Sequence, residues 1–141
     1  MSQYLTKDLQ MVKANHNVLF NEELTCKALS HIKHDQNGTF TVYKTSRPQK
    51  RDKYKLTFGA NIAIPKEERI QPTALALCVN ENAVLSSAII NTPASTDSYY
   101  SINRSMILEF NSDETTQFSV RNIGATDLKV RCSVFLIEPI E

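Results

Sequence analysis

With 141 residues the chain has the length of one domain, enough to bury roughly 68–70% of its unfolded surface without metal or disulfide staples. It is 41% hydrophobic and 22% charged with a formal net charge of +1, a balance that excludes bulk attraction to nucleic acid or to anionic membranes. Its three cysteines, Cys26, Cys78 and Cys132, are odd in number and widely spaced, which predicts reduced thiols rather than a disulfide framework.

The first sixteen residues carry Leu5, Leu9 and Val12 at helical spacing in a polar stretch too short to stand as a helix in water. Residues 1–16 are therefore read as an N-terminal arm that orders against a neighbouring subunit, and residues 17–141 as the folded domain. The arm has no apolar signal core, and no stretch of the chain approaches the ~20 apolar residues of a membrane span, so synthesis and folding in the cytosol are expected.

From Asn17 onward, short runs of β-branched, aromatic and aliphatic residues alternate with Asn, Asp, Gly, Pro and Ser clusters. Val18–Phe20, Ser30–His34 and Thr39–Lys44 are predicted strands. In Tyr54–Ile64, Tyr54, Leu56, Phe58, Ala60, Ile62 and Ile64 share one face and Lys53, Lys55, Thr57 and Asn61 the other, with Gly59 suggesting a bend or bulge. Leu75, Leu77 and Val79 alternate up to Asn80-Glu81-Asn82, a hairpin turn into Val84–Ile90. Ile102–Phe110 and the run around Phe118 and Val120 follow. The final strand, Leu128–Ile137, places Leu128, Val130, Cys132, Val134 and Leu136 together, while its other face changes from Lys129 and Arg131 to Phe135 and Ile137. That change predicts cover on both sides of its second half. About eight or nine strands with turn signals between them specify an all-β antiparallel sandwich of jelly-roll type. The absence of Trp argues against an immunoglobulin-type core.

Catalytic chemistry is not evident. His31 and His34 are three apart in a predicted strand and point to opposite faces, so they do not converge on a metal. No Cys-x-x-Cys, His-Glu-x-x-His or Gly-rich phosphate loop occurs, and the acidic pairs sit in predicted turns where nothing separates their pKa values. No cofactor or metal is expected. Two segments suit partner contact: the charged loop Lys44–Lys55 with Arg47, Lys50 and Arg51, and the Ser- and Thr-rich loop ending in Tyr99-Tyr100, which suits a sugar or a protein.

Lys53–Pro65, together with Asn17–Phe20, Ala74–Leu77, Ser87–Ala94, Phe118–Asn122 and Val130–Ile137, resembles small bacterial and phage-borne β-domains of gut Firmicutes and their phages. Those domains are related in shape to the tumour-necrosis-factor and complement-type jelly roll, and the resemblance covers most of residues 17–141. It implies a homotrimer mounted on a larger particle. On that basis the chain is expected to be a non-enzymatic phage structural protein, a capsid decoration or head-fibre component. It would be made in the host cytoplasm and located on the virion, contacting itself and proteins such as a major capsid protein. The choice of a virion rests on the resemblance alone. The alternative is a carbohydrate- or receptor-binding module of a fibre or bacterial surface. A cupin-like enzyme would need converging histidines, which three scattered ones do not supply.

Overall fold

A computed structural model describes residues 2–25, 32–43, 51–111 and 115–140. They form two six-stranded antiparallel sheets packed face to face. The first contains β1 (Ser2–Thr6), β2 (Gln10–Val12), β3 (Glu22–Thr25), β6 (Arg51–Ala63), β10 (Tyr100–Asn111) and β12 (Leu128–Ile140) in the order β10-β6-β12-β1-β3, with β2 also on β12. The second contains β4 (Ile32–His34), β5 (Phe40–Val42), β7 (Thr73–Val79), β8 (Asn82–Ala83), β9 (Ile89–Asn91) and β11 (Thr116–Asn122) in the order β4-β5-β11-β7-β8, with β9 also on β7. Strands distant in sequence lie side by side, as in a jelly roll, and the first sheet joins the two ends of the chain through β1 and β12.

The segment read as an arm is built into the first sheet. β1 and β2 pair in succession with β12, Tyr4 opposite Phe135 and Val12 opposite Leu128. Burial of Tyr4 and Val12 in the core makes these strands; the helical spacing of Leu5, Leu9 and Val12 was coincidental. Val18–Phe20 is not a strand, yet Val18 N–H donates to the Val120 carbonyl at 2.8 Å and Val18 and Phe20 are buried.

β6 follows the expected alternation, with Tyr54, Leu56, Phe58, Ile62 and Ile64 buried. Gly59 does not bend it. The irregularity lies across from it in β12, where the register with β6 shifts between Arg131 and Val134 and Cys132 takes φ 54°. This bulge turns the strand over: Leu128 and Val130 face the core before it, and Ser133, Phe135 and Ile137 after it. Cys132 is consequently exposed, and Val134 and Leu136 lie half-buried on the outer face, not in one row with Leu128 and Val130. Phe135 and Ile137 thus change face because of one extra residue, not because the strand is covered twice.

The hairpin at Asn80 forms as expected. Asn80 (φ 50°) and Glu81 (φ 69°) make a two-residue turn with both φ positive, closing β7 onto β8 through Val79 and Asn82. The run Val84–Ile90 is not one strand: a 3₁₀ turn at Leu85–Ser87 interrupts it. There the buried Ser87 hydroxyl accepts from Leu77 N–H at 2.9 Å and donates to the Val84 carbonyl at 2.6 Å, replacing ladder bonds along β7 between β8 and β9.

Inside the sandwich, Phe40 stacks on Phe135 with centroids 4.7 Å apart, and Phe20 and Tyr4 tilt against this pair. At the opposite margin the fully buried Asn122 ties three segments together. Its Nδ2 donates to the carbonyls of Val12 (3.1 Å) and Thr126 (2.8 Å), and its Oδ1 accepts from Gly124 N–H (3.1 Å).

Candidate functional site

The outer face of the first sheet follows from the β12 bulge. Register places Leu5 beside Val134 and Gly59, and Gln3 beside Leu136 and Thr57, so a half-buried apolar row crosses β1 and β12 onto the small residues of β6. Further along, Lys55 and Ile107 are opposite one another, and Ile107 is 60% exposed. Thr57 and Ser105 hydroxyls meet at 2.8 Å, and Ser101 donates to Asn61 Oδ1 at 2.7 Å, two cross-strand hydrogen bonds on the β6–β10 part of the face. Gly59 sits at a close approach: a Cβ there would lie 3.2 Å from the Ile102 carbonyl oxygen, so the neighbouring strand would have to give by a few tenths of an ångström. Among the described residues no element is layered on this face, and β10 pairs only with β6, leaving a twelve-residue edge.

The outer face of the second sheet is different. Cys78 and Ala76 are fully buried there beside Ser119 and Arg121. Arg121 is held by Asn17 Oδ1 and the Glu81 carbonyl, each 3.2 Å from a guanidinium nitrogen. Burial pushes the Cys78 thiol above its ordinary pKa, against smaller opposing effects of Arg121 and Ser119, which leaves it an inert thiol. Cys26 and His31 lie outside the described residues. Among the described residues no group of three or more His, Cys, Asp or Glu side chains is placed to hold a metal ion. No helix among them is long and apolar enough to cross a membrane.

The residues singled out in the sequence are dispersed. Leu5 is on the outer face just described. Val12 is 2% exposed and belongs to the core, so it is not a surface contact. Arg47 and Lys50 lie outside the described residues, and Arg51 opens β6 opposite Asn111. Tyr99 and Tyr100 are half-buried, and each has a partner within the chain. The Arg131 guanidinium sits 3.7 Å from the Tyr99 ring centroid, and the Tyr100 hydroxyl is bonded to Thr73. Beside them Lys129 Nζ donates to Asp97 at 2.8 Å, a hydrogen bond that holds the exposed ammonium above its ordinary pKa.

Leu9 lines a cleft of about 480 Å³ that sequence reasoning missed. One wall is the β1–β2 connection with Thr6, Asp8 and Leu9; the others are Leu19–Asn21 and the residues His34 and Gln36 around the end of β4. Gln10 braces it, its Nε2 donating to the Leu19 carbonyl (2.9 Å) and its Oε1 accepting from Leu19 N–H (2.8 Å), in place of a strand partner. Thr6 Oγ1 donates to the same carbonyl (2.8 Å) and accepts from Asn21 N–H (3.0 Å). The His34 ring stacks on Phe40 at 4.7 Å, and its Nε2 is buried with no hydrogen-bond partner among the described residues. Burial lowers its pKa, more than the nearby Glu23 and Asp35 raise it. Only the isolated polar residues hinted at this cleft in the sequence, and nothing in their spacing joins them.

No family model matches the chain, and no curated protein matches it. Among solved structures, the globular domain of zebrafish complement 1qA protein superposes with a TM-score of 0.69 at 14% identity, covering 99% of this chain and 96% of that one. The Eiger TNF of S. frugiperda superposes with a TM-score of 0.65 at 11% identity, covering 100% of this chain and 93% of that one. At these identities the likeness is one of fold, and the chain has the jelly-roll fold shared by the complement and tumour-necrosis-factor structures it superposes on.

Proposed function

We propose that the protein is a non-enzymatic assembly module that acts as a homotrimer, serving as a capsid decoration or head-fibre component of a phage virion. The observation that carries the oligomer is the outer face of the first sheet. Among the described residues, a half-buried row of Leu5, Val134 and Leu136 beside the small residues Gly59 and Thr57 is left without a covering layer, next to Ile107 and the β10 edge, which pairs only with β6. A second copy is the occupant that fits. Edge and face are different surfaces of one chain, so their contact is heterologous, the kind that builds a ring where the rotation closes. Such closure covers the apolar row and the β10 edge together. A ring of three is what the likeness to trimeric jelly rolls suggests, and the virion is suggested by the sequence resemblance.

Light scattering tests the oligomer: a mass near three times 15.9 kDa is expected, falling to one copy in Leu136→Glu. A monomeric parent chain would overturn it. Mass spectrometry of purified virions tests the location, since a protein present in the lysate and missing from particles is not a virion component.

A further inference from the structure

The cleft beside His34 is independent of the assembly face and has the makeup of a small-ligand site. Its volume of about 480 Å³ lies within the usual range for such sites. Thr6 and Gln10 are committed to holding Leu19, but the side chains of Asp8, Asn21 and Gln36 make no hydrogen bond among the described residues. They bring a carboxylate and two carboxamides to one cleft, and the His34 ring forms part of its wall with Nε2 shielded from solvent. The apolar part of the lining is Leu9, 56% exposed, Leu19, 43% exposed, and the buried Phe20.

We propose that this cleft binds a neutral sugar, one pyranose unit of a glycan. A pyranose is amphipathic in the same sense as the cleft. Its vicinal hydroxyls both donate and accept, matching the carboxylate of Asp8 and the amides of Asn21 and Gln36, and its C–H face covers exposed leucine. An anionic sugar is disfavoured, because among the described residues Asp8 is the only charged one lining the cleft and Glu23 and Asp35 add negative charge near His34.

The test is a titration of the isotope-labelled full chain, followed by amide and imidazole nitrogen shifts. Methyl glucoside, methyl galactoside, methyl mannoside and N-acetylglucosamine are the probes, with glucuronate as the charged control. Saturable shifts confined to residues 6–10, 19–21 and 34–36, including the His34 side chain, are expected for at least one neutral sugar, with a Kd of about millimolar order. Asn21→Ala and Gln36→Ala, both at exposed positions, should each weaken binding about tenfold while leaving the rest of the spectrum in place. No saturable shift up to about 50 mM for any neutral probe, shifts centred elsewhere, equal affinity in both variants, or equal binding of glucuronate would each overturn the proposal.

Discussion

Asn122 shows how one side chain holds a margin of the sandwich that no strand pairing closes. Replacing it by Ala leaves the Val12 and Thr126 carbonyls and the Gly124 N–H without their partner in a fully buried place. A loss of about 2–4 kcal/mol is expected, read as a lower urea midpoint with an unchanged slope. Gly38 is fixed by backbone geometry, since it has φ 84° and a Cβ there would lie 2.4 Å from the Val18 carbonyl oxygen. His34 predicts a pH dependence. Its folded pKa is below the unfolded value, so folding favours the neutral ring and the unfolded chain takes up the proton first. Stability from this group is complete above about pH 6.5 and declines as the pH falls below that value. His34→Phe, which keeps a ring against Phe40, should remove this portion of the decline; an identical pH profile in the variant would show that His34 is not its source.

At the scale of the element, β12 carries the most information. Its bulge decides which of two aliphatic rows enters the core, and Cys132 accepts a left-handed conformation to make it. Cys132→Gly should be neutral or mildly stabilising. Cys132→Val, a β-branched residue at positive φ, should cost about 1–2 kcal/mol, again read from urea unfolding. Equal stability of the two variants would count against the bulge. β6 was legible from its alternation because one of its faces is buried along most of its length. β1 and β2 were not, since the side chains that bury are Tyr4 and Val12, and their burial requires β12, which is more than a hundred residues away. In Val84–Ile90 the apolar content was strand-like, but the Ser87 hydroxyl competed for the backbone and broke the run.

At the scale of the molecule, the two sheets differ in what they leave outside. The second covers its outer thiol beside the tethered Arg121; the first presents an apolar row and a long edge to whatever docks there. Leu136→Glu should therefore dissociate the oligomer while the far-ultraviolet circular dichroism stays that of an all-β chain; retained trimer would place the interface elsewhere. Residue composition of the runs, alternation and turn residues determined the all-β sandwich by themselves, because these are local signals that many strands repeat. The β12 face switch, the entry of residues 2–12 into the sheet and the cleft at His34 were decided only by tertiary structure. Each depends on pairing between segments far apart in the chain, and pairing register is a property of two strands that neither sequence carries alone.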